Sequence, residues 1–248
     1  PVNGTMRVVT TFETSNGETV FPIKFDKAQS YFIVFRTANA MAEKNKASNF
    51  PLEKQLQVLK SPWHVKFDAL WGGPAKPVTF STLTDWTQNG DNGIKYYSGT
   101  AVYTTSFNTA PAIVSDKSSP LFLDLGVVQH IARVKLNNTD LGVVWTAPWR
   151  IEIPRGLLKA ANNKLEIEVT NVWANRLIGD EQEPADCEWI PGYISFGFSL
   201  KEFPDWFLQN KPRPSSKRYC FTTWNYFTKD SPLVPSGLLG PVQLVSLR

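Results

Sequence analysis

Residues 171–188 read NVWANRLIGDEQEPADCE and gather more chemistry-bearing side chains than any other stretch of this 248-residue chain. Asp180, Glu181, Glu183, Asp186 and Glu188 supply carboxylates, with Trp173, Asn175 and Arg176 just before them. A pair of carboxylates about 5 to 9.5 Å apart could cleave a glycosidic bond. Carboxylate and carbonyl oxygens together could hold a calcium ion. The plainest alternative is a solvated loop. Catalytic acids are normally held on rigid elements that shift their pKa values, and nothing in this acidic stretch resembles one. The loop reading is therefore preferred, with a structural calcium as the metal alternative and a catalytic pair as the enzymatic one. Arg176 and Asp180, four residues apart, are expected to pair and to offer Trp173 and Asn175 at the loop's rim.

Other catalytic constellations are missing. His64 and His130 both fall in strand-like patterns, SPWHVKF and VVQHIARV, and read as structural or exposed strand residues. No serine occupies a Gly-x-Ser-x-Gly elbow. Two cysteines and two histidines at unrelated spacings make no zinc site. SGLLGP (236–241) lacks the Lys-Ser/Thr ending of a phosphate loop. What remains is aromatic and amide chemistry. Flat rings stack on the apolar C–H faces of sugars, and amide, carboxylate and guanidinium groups make paired hydrogen bonds to hydroxyls. Three clusters offer both. One is LTDWTQNGDNGIKYYSG with Asp85, Trp86, Tyr96 and Tyr97; the second is GVVWTAPWR with Trp145, Trp149 and Arg150; the third holds Trp173, Asn175, Arg176 and Asp180. Core packing is the competing role for each tryptophan.

The elements that must position these clusters are strands. In KLEIEVT, Leu165, Ile167 and Val169 alternate with Lys164, Glu166 and Glu168, the period of a half-buried strand. ARVKLN and DLGVVW flank Asn137–Asn138, residues tolerant of positive φ, and read as a hairpin. WHVKF (63–67), 94–107, LFLDLG (121–126), WRIEI (149–153), RYCFTTW (218–224) and VQLVSL (242–247) read as further strands. RGLLKA and PDWFLQ are long enough for single helical turns. Many short strands divided by Gly, Pro and Asn turns indicate an all-β chain, a β-sandwich or jelly roll. A small N-terminal β segment (1–37) turns at Asn16–Gly17, a polar linker follows (38–59), and the main domain covers 60–248.

Composition removes whole classes of function. The 26 basic and 22 acidic residues leave a net charge of +4 without a Lys/Arg cluster, which argues against nucleic acid. No apolar run is long enough for a membrane helix. Cys187 and Cys220 could be free thiols or one disulfide, and they leave the compartment open. The opening PVNGTM has neither an initiator Met nor an apolar signal region, as expected of a mature product or a piece of a longer protein.

Three segments carry a family resemblance. LTDWTQNGDNGIKYYSGTAVYTTSF, the run from LFLDLGVVQH to NVWANRLIGDE, and SPLVPSGLLGPVQLVSL occur in that order. Together they resemble the sugar-binding jelly roll of glycoside hydrolase family 2, and more closely the C-terminal region of α-L-rhamnosidase-like enzymes of family 106. The resemblance covers about residues 60–248, and FPIKFDKAQSYFIVFRT is similar to the β segment that precedes that jelly roll. It implies a galactose-binding-domain-like fold and a parent enzyme whose catalytic carboxylates sit on a separate (β/α)₈ barrel. This chain then has no catalytic residues of its own, because nothing in it reads as βαβ repeats. The resemblance also points to the loop Asp230–Gly237, although SGLLGPV lacks the family's Arg-Asp pair. The expected function is that of a non-catalytic, carbohydrate-binding accessory module, with glycan and the parent barrel as partners and a secreted or periplasmic location. A purely structural interdomain module and a small glycosidase using residues 180–188 are the rivals.

Overall fold

The structure, a computed structural model, describes residues 4, 6–25, 29–35, 49–50, 52–60, 62–191, 197–214 and 217–247. The chain divides into two compact units, Pro1–Lys54 with Leu247–Arg248, and Gln55–Ser246. In the first, β1 (Glu13–Ser15) and β2 (Glu18–Val20) form the expected hairpin, with Asn16 at φ 52° and Gly17 at φ 81° making the turn. Residues 29–35 of this unit, SYFIVF with the preceding Gln29, form no strand. Asn49 serves as its polar anchor: its side-chain oxygen accepts from the amides of Thr10 and Thr11, and its amide donates to the Thr11 carbonyl. Residues 38–48, most of the expected linker, lie outside the described residues.

The second unit is an all-β sandwich. Its first strands are β3 (Glu53–Val58), β4 (Trp63–Lys66) and β5 (Val78–Phe80), with α1 (Asn92–Lys95) leading into β6 (Thr100–Phe107). After α2 (Pro111–Ser115) come β7 (Leu121–Asp124), β8 (Val127–Gln129), β9 (Ile131–Leu136), β10 (Thr139–Val144), β11 (Arg150–Glu152) and β12 (Asn163–Thr170). Next is α3 (Ala174–Asp180), and then a smaller group: β13 (Trp189–Pro191), β14 (Phe198–Leu200), α4 (Asp205–Leu208) and β15 (Trp224–Asn225). The unit ends with β16 (Gly237–Gly240) and β17 (Gln243–Leu247).

One layer is a six-stranded sheet of order β10-β9-β12-β6-β4-β5, and the other a four-stranded sheet of order β11-β7-β17-β3. Alternation fixes which side chains face inward. Ala101 and Tyr103 on β6, Ala132 and Val134 on β9, and Leu165, Ile167 and Val169 on β12 share one core cluster with Leu123 of β7 and Leu244 of β17. Outward, Lys135 bridges Glu166 and Glu168 across the β9–β12 pair at 2.8 Å each. The β9–β10 hairpin turns on Asn137 and Asn138 at φ 50° and 67°, as their types anticipated. No helix among the described residues is long and apolar enough to cross a membrane.

Two expected strands are corrected. In 94–107 the first residues form α1 and an irregular link, because the Asp91 carboxylate accepts from Gly93 N and caps a helical turn. In 218–224 only Trp224 reaches a strand, because the amides of Tyr219 and Cys220 donate instead to the Asp180 carboxylate.

Candidate functional site: an aromatic rim around a buried arginine–aspartate pair

Strand register gathers the three aromatic–amide clusters at one end of the sandwich. Val144, Ala132 and Val169 face one another across β10, β9 and β12, and Thr170 faces Thr100 across β12 and β6. The chain segments leaving or entering at that end therefore include Tyr96, the 145–149 loop and α3.

The stretch expected as a loop after β12 is a two-turn helix. Its first residues carry no side-chain cap, so tertiary contacts must hold it. Asn171 accepts from Gly99 N at 2.9 Å and donates to Tyr97 O at 2.9 Å and to Ser236 Oγ at 3.0 Å. Asn175 accepts from Val234 N at 2.8 Å and donates to Val234 O at 2.7 Å. The Arg176 amide donates to Ser98 Oγ at 2.9 Å. Gly179 allows the close fit: a Cβ there would lie 2.5 Å from Tyr96 Cβ.

Arg176 and Asp180 pair as their spacing anticipated. Arg176 Nε donates to Asp180 Oδ1 at 3.0 Å, and the two side chains are 7% and 3% exposed. Asp180 Oδ2 also accepts the amides of Tyr219 at 3.1 Å and Cys220 at 2.7 Å. The guanidinium lies 4.9 Å from the Tyr219 ring centroid, in cation–π geometry. Gly72 closes over both: a Cβ at that position would meet Tyr219 Cε2 at 2.7 Å and Arg176 Nη1 at 3.1 Å.

Among the described residues, three of the remaining four acids of the 180–188 stretch are divided among separate cations, Glu183 being the exception. Arg218 Nη1 donates to Glu181 Oε1 at 3.0 Å, Arg213 Nε to Asp186 Oδ2 at 2.5 Å, and Lys201 Nζ to Glu188 Oε2 at 2.5 Å. Burial works against ionisation of Asp186, yet the Arg213 guanidinium holds its carboxyl below the usual carboxylate range. Burial and the neighbouring Asp186 charge push the Cys187 thiol up to about 11, and burial raises Cys220 as well. Both thiols are free. No group of three or more metal-ligating side chains converges among the described residues, and these diverging carboxylates do not fit the calcium reading. Asp230 is exposed in a turn outside this network.

Nine of the candidate ligand-binding residues separate by burial. Trp173 is 68% exposed and Trp145 59%, while Tyr96 and Trp149 are half-buried. Asn175, Arg176 and Asp180 are buried and bound to protein partners. Trp86 and Tyr97 are fully buried, which removes them as stacking faces. Trp86 donates to Tyr103 Oη at 2.5 Å and stacks on that ring, and Tyr97 Oη donates to Thr100 O at 2.9 Å. Both rings meet Phe67 edge to face, at 5.3 and 4.9 Å. Trp71 and Tyr219, both exposed, are rim residues that the sequence reading missed. The signal for Trp71 was an aromatic just before the Gly72–Gly73 pair; Tyr219 was hidden in a strand-like pattern.

The fold and site thus define an all-β sandwich with an aromatic rim whose buried carboxylates are engaged by cations. No family model matches the chain. A curated protein from Formosa agariphila, named "Putative beta-glucuronidase", is 40% identical over 192 residues, covering 75% of this chain and 15% of that protein. The solved rhamnosidase of Novosphingobium sp. PP1Y superposes with a TM-score of 0.65 at 29% identity, over 95% of this chain and 19% of that one. The chain is therefore a glycoside hydrolase-related domain. It spans less than a fifth of the length of either relative.

Proposed function

We propose that the chain is a non-catalytic jelly-roll module of an α-L-rhamnosidase-like, family 106-type glycoside hydrolase, secreted or periplasmic. In this reading it supports the catalytic body and contacts glycan through its aromatic rim. The observation that carries the reading is that four of the five 180–188 carboxylates, Asp180, Glu181, Asp186 and Glu188, are divided among Arg176, Arg218, Arg213 and Lys201. A glycosidase needs an acid and a base or nucleophile facing one bond, and Glu183 beside four carboxylates that are each paired with a different cation does not provide that couple. Trp145 and Trp173 offer flat apolar faces of the kind sugar rings stack on. The similarity to the rhamnosidase over nearly the whole chain supports the class of enzyme.

Calorimetric titration with rhamnose-containing oligosaccharides to millimolar concentration tests the rim. Weak binding is expected, and Trp173→Ala should abolish it with little loss of stability, since that ring is 68% exposed. No response to any oligosaccharide would remove the glycan contact. Turnover of aryl rhamnosides or glucuronides that disappears in Asp180→Asn would overturn the non-catalytic assignment.

A further inference from the structure

Between β12 and β16 the chain builds a lobe that does not share the sandwich core: among the described residues, the core cluster takes nothing from 170–237. Its sheet, of order β13-β14-β15, is only three strands wide. Arginines fix its base, with Arg213 donating to Asp186 and to the Cys220 carbonyl, and Arg218 to the carbonyls of Glu183 and Pro184. Its outer surface is aromatic. Phe203, Phe207 and Phe221 pack as a ring cluster with centroids 4.6 to 6.4 Å apart, and Phe203, Phe207 and Leu208 remain exposed. Trp224, 48% exposed, and Tyr226, 54% exposed, form a second cluster at 5.5 Å. At the edge lies a polar pair, Lys201 and Glu188, both exposed.

Apolar surface on this scale is rarely left open on a soluble protein unless something binds it. Sugar sites use one or a few rings ringed by hydrogen-bonding groups; here the exposed rings pack on other rings, Phe203 and Phe207 with Phe221 and Trp224 with Tyr226, in keeping with the aromatic centre of a protein interface. The identity of the cover follows from two observations. The matched region is less than a fifth of each relative, so in both it accompanies a much larger body. Four of the five carboxylates of this chain's acidic cluster are already paired with cations, so the chemistry of such an enzyme belongs to that body. We propose that the aromatic face carried by Phe203, Phe207, Leu208, Trp224 and Tyr226 is the surface that docks on the catalytic body of a glycoside hydrolase. The inference rests on the accessory-module reading above and adds the surface through which the module acts.

The test uses the Novosphingobium rhamnosidase from which the fifth matching this chain is deleted, co-expressed with the intact 248-residue chain. A one-to-one complex is expected, and Phe207→Ser or Trp224→Ser should each weaken it by about 30-fold, the effect of losing an interface hot spot. Both rings are about half exposed, so the melting temperature of each variant is read beside complex formation, and a variant that stays folded at the assay temperature is expected to weaken the complex. Absence of a complex overturns the proposal, as does a complex indifferent to both substitutions. Concentration-dependent dimers of the chain alone that the same substitutions abolish would also overturn it, assigning the face to a second copy. An oligosaccharide response lost in Trp224→Ser, with no complex formed, would overturn it in favour of a sugar platform. Loss of glycan binding at Trp173 leaves the docking result untouched, so failure of the earlier reading and of this one are told apart.

Discussion

Replacing Asp180 with Asn should be among the most damaging single changes in the sandwich, and the structure sets its size. Asp180 is 2% exposed and its partner Arg176 6%. Three donors converge on its carboxylate: Arg176 Nε, Tyr219 N and Cys220 N. The amide of Asn keeps one oxygen for these donors and turns an NH₂ group towards the others, while the guanidinium loses its counter-charge in a site closed to water. Breaking a buried ion pair by removing one partner costs about 3–5 kcal/mol. The retained oxygen and the Tyr219 ring face moderate the loss, which places Asp180→Asn near the lower end, about 3 kcal/mol. For a unit of this size each kcal/mol moves the melting temperature by about 2–4 °C, so a fall of about 6–12 °C is expected by calorimetry or circular dichroism. The double variant Arg176→Met/Asp180→Leu removes both charges and should recover most of the loss. Recovery should be incomplete, because Tyr219 N and Cys220 N remain without an acceptor. A fall below about 1 kcal/mol for Asp180→Asn would refute the reasoning, since it would mean that the pair is solvated or its burial is relieved at no cost.

Gly179→Ala places a methyl 2.5 Å from Tyr96 Cβ, an atom that no rotamer change can move; a loss of about 2 kcal/mol is expected in urea titration. At pH 8, Cys187 should alkylate about two hundred-fold more slowly than an unperturbed thiol, because burial and Asp186 push its pKa up to about 11 and the thiolate is the reactive form. Rates that rise steeply between pH 9 and 11 would agree, and a fast pH 8 rate would not. The folded-state pKa of Asp186 is depressed, so its stabilising contribution is fully present above the unfolded value of about 3.9 and is lost as pH falls through the lower folded value. Urea midpoints measured from pH 6 to 2.5 should therefore fall more for the native chain than for Asp186→Asn, and parallel curves would contradict the Arg213–Asp186 pairing as a source of stability.

Local signals read correctly wherever local chemistry decides the structure. Asn137 and Asn138 tolerate positive φ, so the β9–β10 hairpin could be placed from four residues and its flanking alternation. The β12 pattern gave its inward face for the same reason. Long-range packing was not legible. Trp86 sits among Asp, Thr, Gln and Asn, a polar neighbourhood that suggested a rim; its burial depends on Tyr103, 17 residues away, and on Phe67. The helix α3 escaped notice because Asn175 and Gly179 are poor helix formers, and the contacts that compensate come from Ser98, Val234 and Ser236, far away in sequence. RYCFTTW alternates like a strand, but the bond that decides its path runs to Asp180, 39 and 40 residues earlier.

The same residue shows what the acidic stretch does in the fold. Asp180 joins two parts of the unit: through Arg176 it fixes the helix beside Trp173 and Tyr96, and through the amides of Tyr219 and Cys220 it anchors the entry to the last strand of the aromatic lobe. A carboxylate with three donors arranged around it is fixed in place, which suits a structural link. The arginines that follow repeat the arrangement: Arg218 and Arg213 each reach a carboxylate and at least one carbonyl in the lobe base. Acids, amides and arginines concentrated at one strand end are therefore the fastening between an aromatic rim and an aromatic lobe. Under the proposed accessory role that fastening has a use, because a ring that stacks on sugar would serve a neighbouring catalytic body only if the surface docked on that body were held rigidly beside it.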